Sequence, residues 1–254
     1  MVTVGIDIGS TATKGVLFSS GVFAAAVVTP TGWEPHNAGR QAFEVLLEKT
    51  GIAAASVAAV VATGYGRISL PFADRRVTEV TCHARGAHHL LPGTRLVVDI
   101  GGQDSKVIAL DGRGNVVDFI MNDKCAAGTG RFLQVMAGVM DLSLDGLGEL
   151  AMVSEPVAIS SMCTVFAESE VIGLLARGVA KGAIAAGVVD SIARRLPTLV
   201  GRMPSTPSIA FTGGLARNRA IRDSLQKHLG VSLQVPEQPQ MVGAIGAALI
   251  GGDF

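Results

Sequence analysis

Aromatic side chains make up only 4% of the 254 residues, with one tryptophan and one tyrosine, and cysteine occurs just three times. Three cysteines cannot build the framework of a disulfide-stapled secreted domain. The opening "MVTVGIDIGS" has no basic segment ahead of an apolar one, so no secretory leader is predicted and a reducing cytoplasm is expected. No uncharged apolar run reaches the ~18 residues of a membrane span, so no membrane partner is expected. Charge of either sign is not in excess: Lys+Arg and Asp+Glu both count 21, which leaves no electrostatic footprint for nucleic acid. Apolar residues, at 48%, suffice for a packed core and exclude disorder. Glycine, by contrast, is abundant at 32, and predicts many tight turns and close backbone approaches. The length allows one large domain or two of about 100–130 residues.

The pattern along the chain is α/β. "VTVGID" reads as a strand, followed by a Gly-Ser-Thr turn and a second strand, "TKGVLF". Near residue 100 the same arrangement returns in "RLVVDIGGQDSKVIAL". Asp7 and Asp99 each close an apolar strand, and Ile-Gly follows each, so the two hairpins form a weak internal repeat. Between them lie a helical pattern at "QAFEVLLEKTG" and a strand at "VAAVVATG". Beyond residue 125 the periodicity is mainly helical, through "GRFLQVMAGVM", "FAESEVIGLLARGVAKG" and "GVVDSIARRLPTLV", with a break or kink expected at Pro197. "PSIAFTGG" reads as a buried strand, "LARNRAIRDSLQKHLG" as a helix closed by Gly230, "VSLQVP" as a last strand, and "MVGAIGAALIGG" as a small-residue helix.

Neither a Walker A loop nor G-x-G-x-x-G is present. The turn after Asp7 nevertheless offers Gly9, Ser10 and Thr11, with backbone N–H groups and two hydroxyls for an anion, and Lys14 adds charge. The turn after Asp99, with Gly101 and Gly102, offers a second such pocket. Two such turns facing each other would clamp a polyphosphate, with Asp7 and Asp99 holding Mg²⁺ through water. Either alone reads equally as an ordinary hairpin turn. Together with Gly213 and Gly214 in "TGG", they resemble the actin, Hsp70 and sugar-kinase superfamily.

The cysteines pose a separate question. Cys125 in "NDKCAAGTGRF" and Cys163 in "SSMCTVFAESE" both stand where a helix is predicted to start, a setting that favours thiolate. Two buried cysteines acting as small hydrophobes are the plain alternative. No C-x-x-C occurs, and two cysteines cannot complete a four-cysteine cluster. Two chains on a twofold axis can, with two cysteines from each. Cys82, in "EVTCHARGAHH", sits among His83, His88 and His89, and reads as a buried structural cysteine rather than a ligand.

Taken together, "IDIGSTATK", "ATGYGR", "VDIGGQDSKVI", "MNDKCAAGTGRFL", "ISSMCTVFAESEVI" and "TGGLARN" resemble the activator component of 2-hydroxyacyl-CoA dehydratases. The same family includes the ATP-binding subunits of benzoyl-CoA reductases, and the likeness covers nearly the whole chain. The resemblance implies a two-domain actin/Hsp70/sugar-kinase-like (ribonuclease H-like) ATPase fold with ATP or ADP in the interdomain cleft. The first domain would span residues 1–94 and the second 95–240, with a helix at 241–254 packing back on the first. It implies a homodimer bridged by one [4Fe–4S] cluster, held by Cys125 and Cys163 of each chain. It further implies ATP-driven delivery of one low-potential electron to an iron–sulfur dehydratase or reductase, with a ferredoxin or flavodoxin as electron source. The nucleotide positions it carries over are Ser10, Thr11, Ala12, Thr13, Lys14, Gly101 and Gln240, with Gly213 and Gly214 near the adenosine. Gln103 and Asp104 are the candidates for activating water, by position. The competing expectations are a small-molecule kinase and an ATP-gated scaffold on the same fold, neither of which accounts for the two cysteine motifs.

Overall fold

The computed structural model describes residues 1–161, 163–204 and 206–253. Met162 of the second cysteine motif and Phe254, the last residue of the expected C-terminal helix, lie outside the described residues. The chain forms two compact units, Met1–Val97 with Ile108–Phe119 and Pro236–Phe254, and Val98–Val107 with Ile120–Val235.

The first unit begins with β1 (Val2–Ile8), β2 (Ala12–Ser19) and β3 (Val22–Pro30), then α1 (Pro35–Thr50), β4 (Val57–Thr63), the short β5 (Arg75–Arg76) and α2 (Glu79–Leu90). Its sheet has the order β3-β2-β1-β4-β5, antiparallel through β3-β2-β1 and parallel from β1 to β4 and β5. Successive side chains on a strand face opposite ways. Leu17 therefore packs with Ala42 and Leu46 of α1, while its neighbours Val16 and Phe18 face the other way. α1 begins six residues before the apolar period suggests, because Pro35 takes the first helical position, where its missing N–H costs nothing. β3 and α2 are not evident in the sequence pattern. β3 is half exposed, and α2 buries alanine and glycine where a leucine stripe would have announced it.

Next come β6 (Leu96–Ile100), β7 (Ser105–Leu110) and β8 (Val116–Asn122), then α3 (Gly130–Val139), α4 (Leu144–Met152), α5 (Thr164–Ala176), α6 (Lys181–Ala193) and α7 (Leu196–Val200). β9 (Ile209–Thr212), α8 (Arg219–Leu229), β10 (Leu233–Gln234) and α9 (Val242–Gly251) complete the chain. The second sheet has the order β10-β9-β6-β7-β8. The long helical stretch predicted after Cys163 is divided at Gly178, whose φ of 77° ends α5, and again before Pro197. Gly230 closes α8 in the left-handed conformation.

α9 belongs to the first unit and covers the face of its sheet opposite α1. There Met241, Ala244, Ile245 and Ala248 pack on Val16 and Phe18. Backbone meets backbone along this seam. A Cβ on Gly246 would lie 1.8 Å from the Cys82 carbonyl oxygen, one on Gly86 2.1 Å from that of Val242, and one on Gly5 2.1 Å from that of Ala244. No helix among the described residues is long and apolar enough to cross a membrane.

Candidate functional site

Each unit carries the same small constellation. In the first, Asp7 is buried near the end of β1, and the Lys14 ammonium on β2 lies 3.3 Å from its Oδ2. Asp7 pairs in register with Lys14 on one side and with Thr63 on the other, and Gly64 follows Thr63 with φ 83°. In the second, Asp99 is buried near the end of β6, and Lys106 on β7 donates to its Oδ2 at 3.1 Å. Thr212, at the end of β9, donates its hydroxyl to Asp99 Oδ1 at 2.8 Å, and Gly213 follows with φ 90°. A Cβ on Gly213 would stand 2.3 Å from the Ile100 carbonyl oxygen, so the chain can turn here only as glycine.

The repeat therefore extends beyond the two aspartates to a lysine seven positions on and a Thr-Gly at the end of a neighbouring strand. Lys106 was missed by sequence reasoning, although D-x₆-K occurs in both "DIGSTATK" and "DIGGQDSK". It is 1% exposed, and a lysine is buried this deeply only when paired. Its second partner is the Asp104 carboxylate, at 2.5 Å.

The turns themselves are held from behind. Gly9 donates to the Ala12 carbonyl, and Thr31 donates its hydroxyl to the Gly9 carbonyl at 2.7 Å and its N–H to that of Thr11 at 3.1 Å. Thr31 is a further residue the sequence did not announce. Thr13 is fully buried with its hydroxyl 2.9 Å from that of Thr31, whereas Ser10 is half-buried and Thr11 exposed. Thr11 and Ser10 are thus the hydroxyls this turn can offer to a ligand. In the second turn Gly101 and Gly102 are half-buried and Gln103 is exposed, while the Asp104 carboxylate is occupied by Lys106. Gly214 is exposed beside buried Gly213, and Gln240 lies half-buried in the single turn of 3₁₀ helix that precedes α9.

Cys125 and Cys163 are exposed, both in the second unit, and Cys82 is buried in the first. Cys163 is the N-cap of α5, as its spacing predicts, and makes no side-chain capping bond. Cys125 does not begin a helix. Gly128, with φ 87°, and the Thr129 hydroxyl, bonded to the Ala126 carbonyl at 2.6 Å, form a turn first, and α3 starts at Gly130. Asn122 pins the loop: its Nδ2 donates to the Cys125 carbonyl at 2.9 Å, and its Oδ1 accepts the Cys125 N–H at 3.3 Å. The Arg195 guanidinium donates to the Cys125 sulfur; burial pulls its pKa below the ordinary value while the thiol group acts to raise it.

The first turn of α3 is bonded directly to the second glycine turn. Gly130 donates to the Gly101 carbonyl at 2.9 Å, and Arg131 to that of Gly102 at 2.7 Å. Two of the orphan N–H groups of a helix N-terminus are satisfied in this way. α3 packs in turn on α5, the helix that follows Cys163.

Cys82 packs with Val61 and Ala247, and burial pushes its thiol up to about 12. In cluster-free native protein, iodoacetamide at about pH 8 should therefore modify Cys125 and Cys163 and spare Cys82 until the chain unfolds. Peptide mass spectrometry reads this directly, and equal labelling of all three would overturn the placement of Cys82.

The chain is similar throughout to proteins of known role. The 2-hydroxyisocaproyl-CoA dehydratase activator of Clostridioides difficile is 44% identical over 254 residues, covering 100% of this chain and 96% of the relative. A benzoyl-CoA reductase subunit of Thauera aromatica is 35% identical over 269 residues, covering 98% and 93%. The solved activator of the 2-hydroxyisocaproyl-CoA dehydratase from Clostridium difficile, with bound ADPNP, superposes with a TM-score of 0.94 at 44% identity, over 100% of this chain and 95% of that one. The ROK hexokinase of Thermus thermophilus shares the fold alone, with a TM-score of 0.55 and 18% identity over 98% of each chain. The architecture is that of actin-like ATPases and sugar kinases. The profile of the BadF/BadG/BcrA/BcrD ATPase family matches residues 4–251, and the chain belongs to that family.

Proposed function

We propose that this chain is an ATP-dependent one-electron donor that activates an iron–sulfur enzyme. A 2-hydroxyacyl-CoA dehydratase is the partner the reading favours, because the activator of such an enzyme is 44% identical to this chain. A benzoyl-CoA reductase is the second partner class, given the 35% identity to one component of such a reductase. A ferredoxin or flavodoxin would supply the electron.

ATP would be taken up by the two glycine turns, with backbone N–H groups of Ser10, Thr11 and Gly102 donating to phosphate oxygens, while those of Gly9 and Gly101 close the turns on the Ala12 and Asp104 carbonyls. Lys14 brings a cation, and Gly213, Gly214 and Gln240 serve the nucleoside. Asp7 and Asp99 fit a hydrated Mg²⁺ as hard oxygen donors at the ends of β1 and β6, beside the two turns. Gln103, exposed on its turn, would orient water, whereas Asp104 is engaged by Lys106.

Cys125 and Cys163 fit half of a four-thiolate site. Both thiols are exposed in one unit, each on a pinned segment, and the helices that follow them pack together. A second copy supplies the other two thiolates, so the protein works as a homodimer. Val165, Phe166 and Ile172, all exposed on α5, give the surface beside Cys163 the apolar character a partner copy needs. When bound, a [4Fe–4S] cluster supplies a single electron at low potential.

The observation that carries the coupling is the pair of bonds from Gly130 and Arg131 to the Gly101 and Gly102 carbonyls. A phosphate that shifts the turn shifts the first turn of α3, five residues from Cys125. By linkage, the two sites bias each other equally. Chelator access to the iron should therefore differ among nucleotide-free, ADP and ATP forms of the reconstituted dimer. Bathophenanthroline release rates measure this. Identical rates in all three, with nucleotide binding verified, would leave an ATPase without coupling.

A further inference from the structure

The segment that leads into Cys163 is fastened by a side chain from its own helix. Glu170, on the second turn of α5, accepts the Ser160 N–H at 3.0 Å and the Ser160 hydroxyl at 2.9 Å on Oε1, and the Ser161 N–H at 2.8 Å on Oε2. Both carboxylate oxygens are thereby committed to two consecutive residues. Cys163 stands two positions beyond Ser161, and its carbonyl accepts the Ala167 N–H at 2.8 Å, so the loop is closed on the helix from both sides.

This fastening does nothing for the core. Ser160 and Cys163 are exposed, and Ser161 and Glu170 are only half-buried. What three bonds to a carboxylate do is hold a surface segment in one conformation. The group whose direction that fixes is the Cys163 thiol at the helix N-cap, which makes no capping bond. Asn122 plays the corresponding part around Cys125, but from the end of the strand that precedes the loop.

We propose that Glu170 is the positioning residue for Cys163, preorganising its thiolate for the metal cluster; the inference rests on the reading of Cys163 as a ligand. Ligand preorganisation by an outer hydrogen-bonding partner is a general requirement of metal sites. The carboxylate is chemically specific to the task. Glutamine retains one acceptor for Ser160 but presents an N–H₂ to the Ser161 N–H, donor against donor. Burial acts to raise the Glu170 pKa, and the Ser160 and Ser161 bonds outweigh it, holding the group down at about 2. The clamp is thus charged throughout the working range of the protein.

The test uses full-length chains reconstituted anaerobically with iron and sulfide. Glu170→Gln should fold and bind ATP as the parent does, yet release iron to bathophenanthroline about tenfold faster or more. In the cluster-free Cys82→Ser/Cys125→Ser background, where Cys163 is the sole thiol, its alkylation rate by iodoacetamide should change about threefold when Glu170→Gln is added. Parent-like rates in both measurements would overturn the proposal. Should Glu170→Gln not fold, Ser160→Ala, which deletes one of the three bonds, carries the same two readouts. If the parent and Cys163→Ser are alike in taking up no iron, the ligand reading falls, and the alkylation rate alone decides whether Glu170 positions Cys163.

Discussion

Cys125→Ser and Cys163→Ser should each eliminate the cluster, while Cys82→Ser keeps it. The size of the effect follows from symmetry. In the proposed homodimer each chain would contribute two thiolates, so one substitution would remove two of the four ligands of a twofold site. A serine hydroxyl is a hard donor that does not replace a thiolate on iron–sulfur centres. Cys82 is in the core of the first unit with its thiol held protonated. Iron analysis and the visible spectrum after anaerobic reconstitution decide the matter. Four irons per dimer and an unaltered spectrum in either of the first two variants would refute the ligand set.

Lys106→Met should be the most damaging single change to the fold. The lysine is 1% exposed between Asp99 and Asp104. Removing it deprives the buried Asp99 carboxylate of its ammonium, and breaking a buried pair in this way costs about 3–5 kcal/mol. For a chain of this size that lowers the melting temperature by about 6–20 °C, at ~2–4 °C per kcal/mol. Adding Asp99→Asn should recover part of the loss, because the two sites share one interaction. ATP hydrolysis should fall in both variants, since Asp99 is then either misdirected or neutral. A melting temperature within 2 °C of the parent, as an approximate threshold, would mean that Lys106 is not the counter-ion of Asp99 and Asp104.

The strand ends and glycine turns were legible in the sequence because apolar alternation and the Asp-Ile-Gly repeat are local signals. So were α5 with Cys163 at its N-cap, the left-handed stop at Gly230, and the helix break before Pro197. What was not legible depends on contacts between distant stretches. Thr31 meets Gly9 across 22 positions, Thr212 meets Asp99 across 113, and no window shorter than these separations contains either pair. Cys125 was expected to open α3, but the start moves to Gly130 because the Gly101 and Gly102 carbonyls supply the partners that its first N–H groups require. Lys106 and Glu170 are a different case. Their residues were in view, but a lysine in a strand and a glutamate in a helix read as solvated surface until the partners are known.

The seam between α2 and α9 has a bearing on how the chain can change. Gly86 and Gly246 meet other backbone so closely that neither accepts even a methyl group, and Gly5 meets α9 in the same way. Any heavier residue at one of them must push apart two elements that share no side-chain slack to absorb the push. The three positions are therefore locked as a set: drift at one is not compensated by drift at another, because there is nothing smaller than glycine to retreat to. Such a seam is inherited whole or lost whole, and at these positions α9 is as unforgiving of replacement as the first strand.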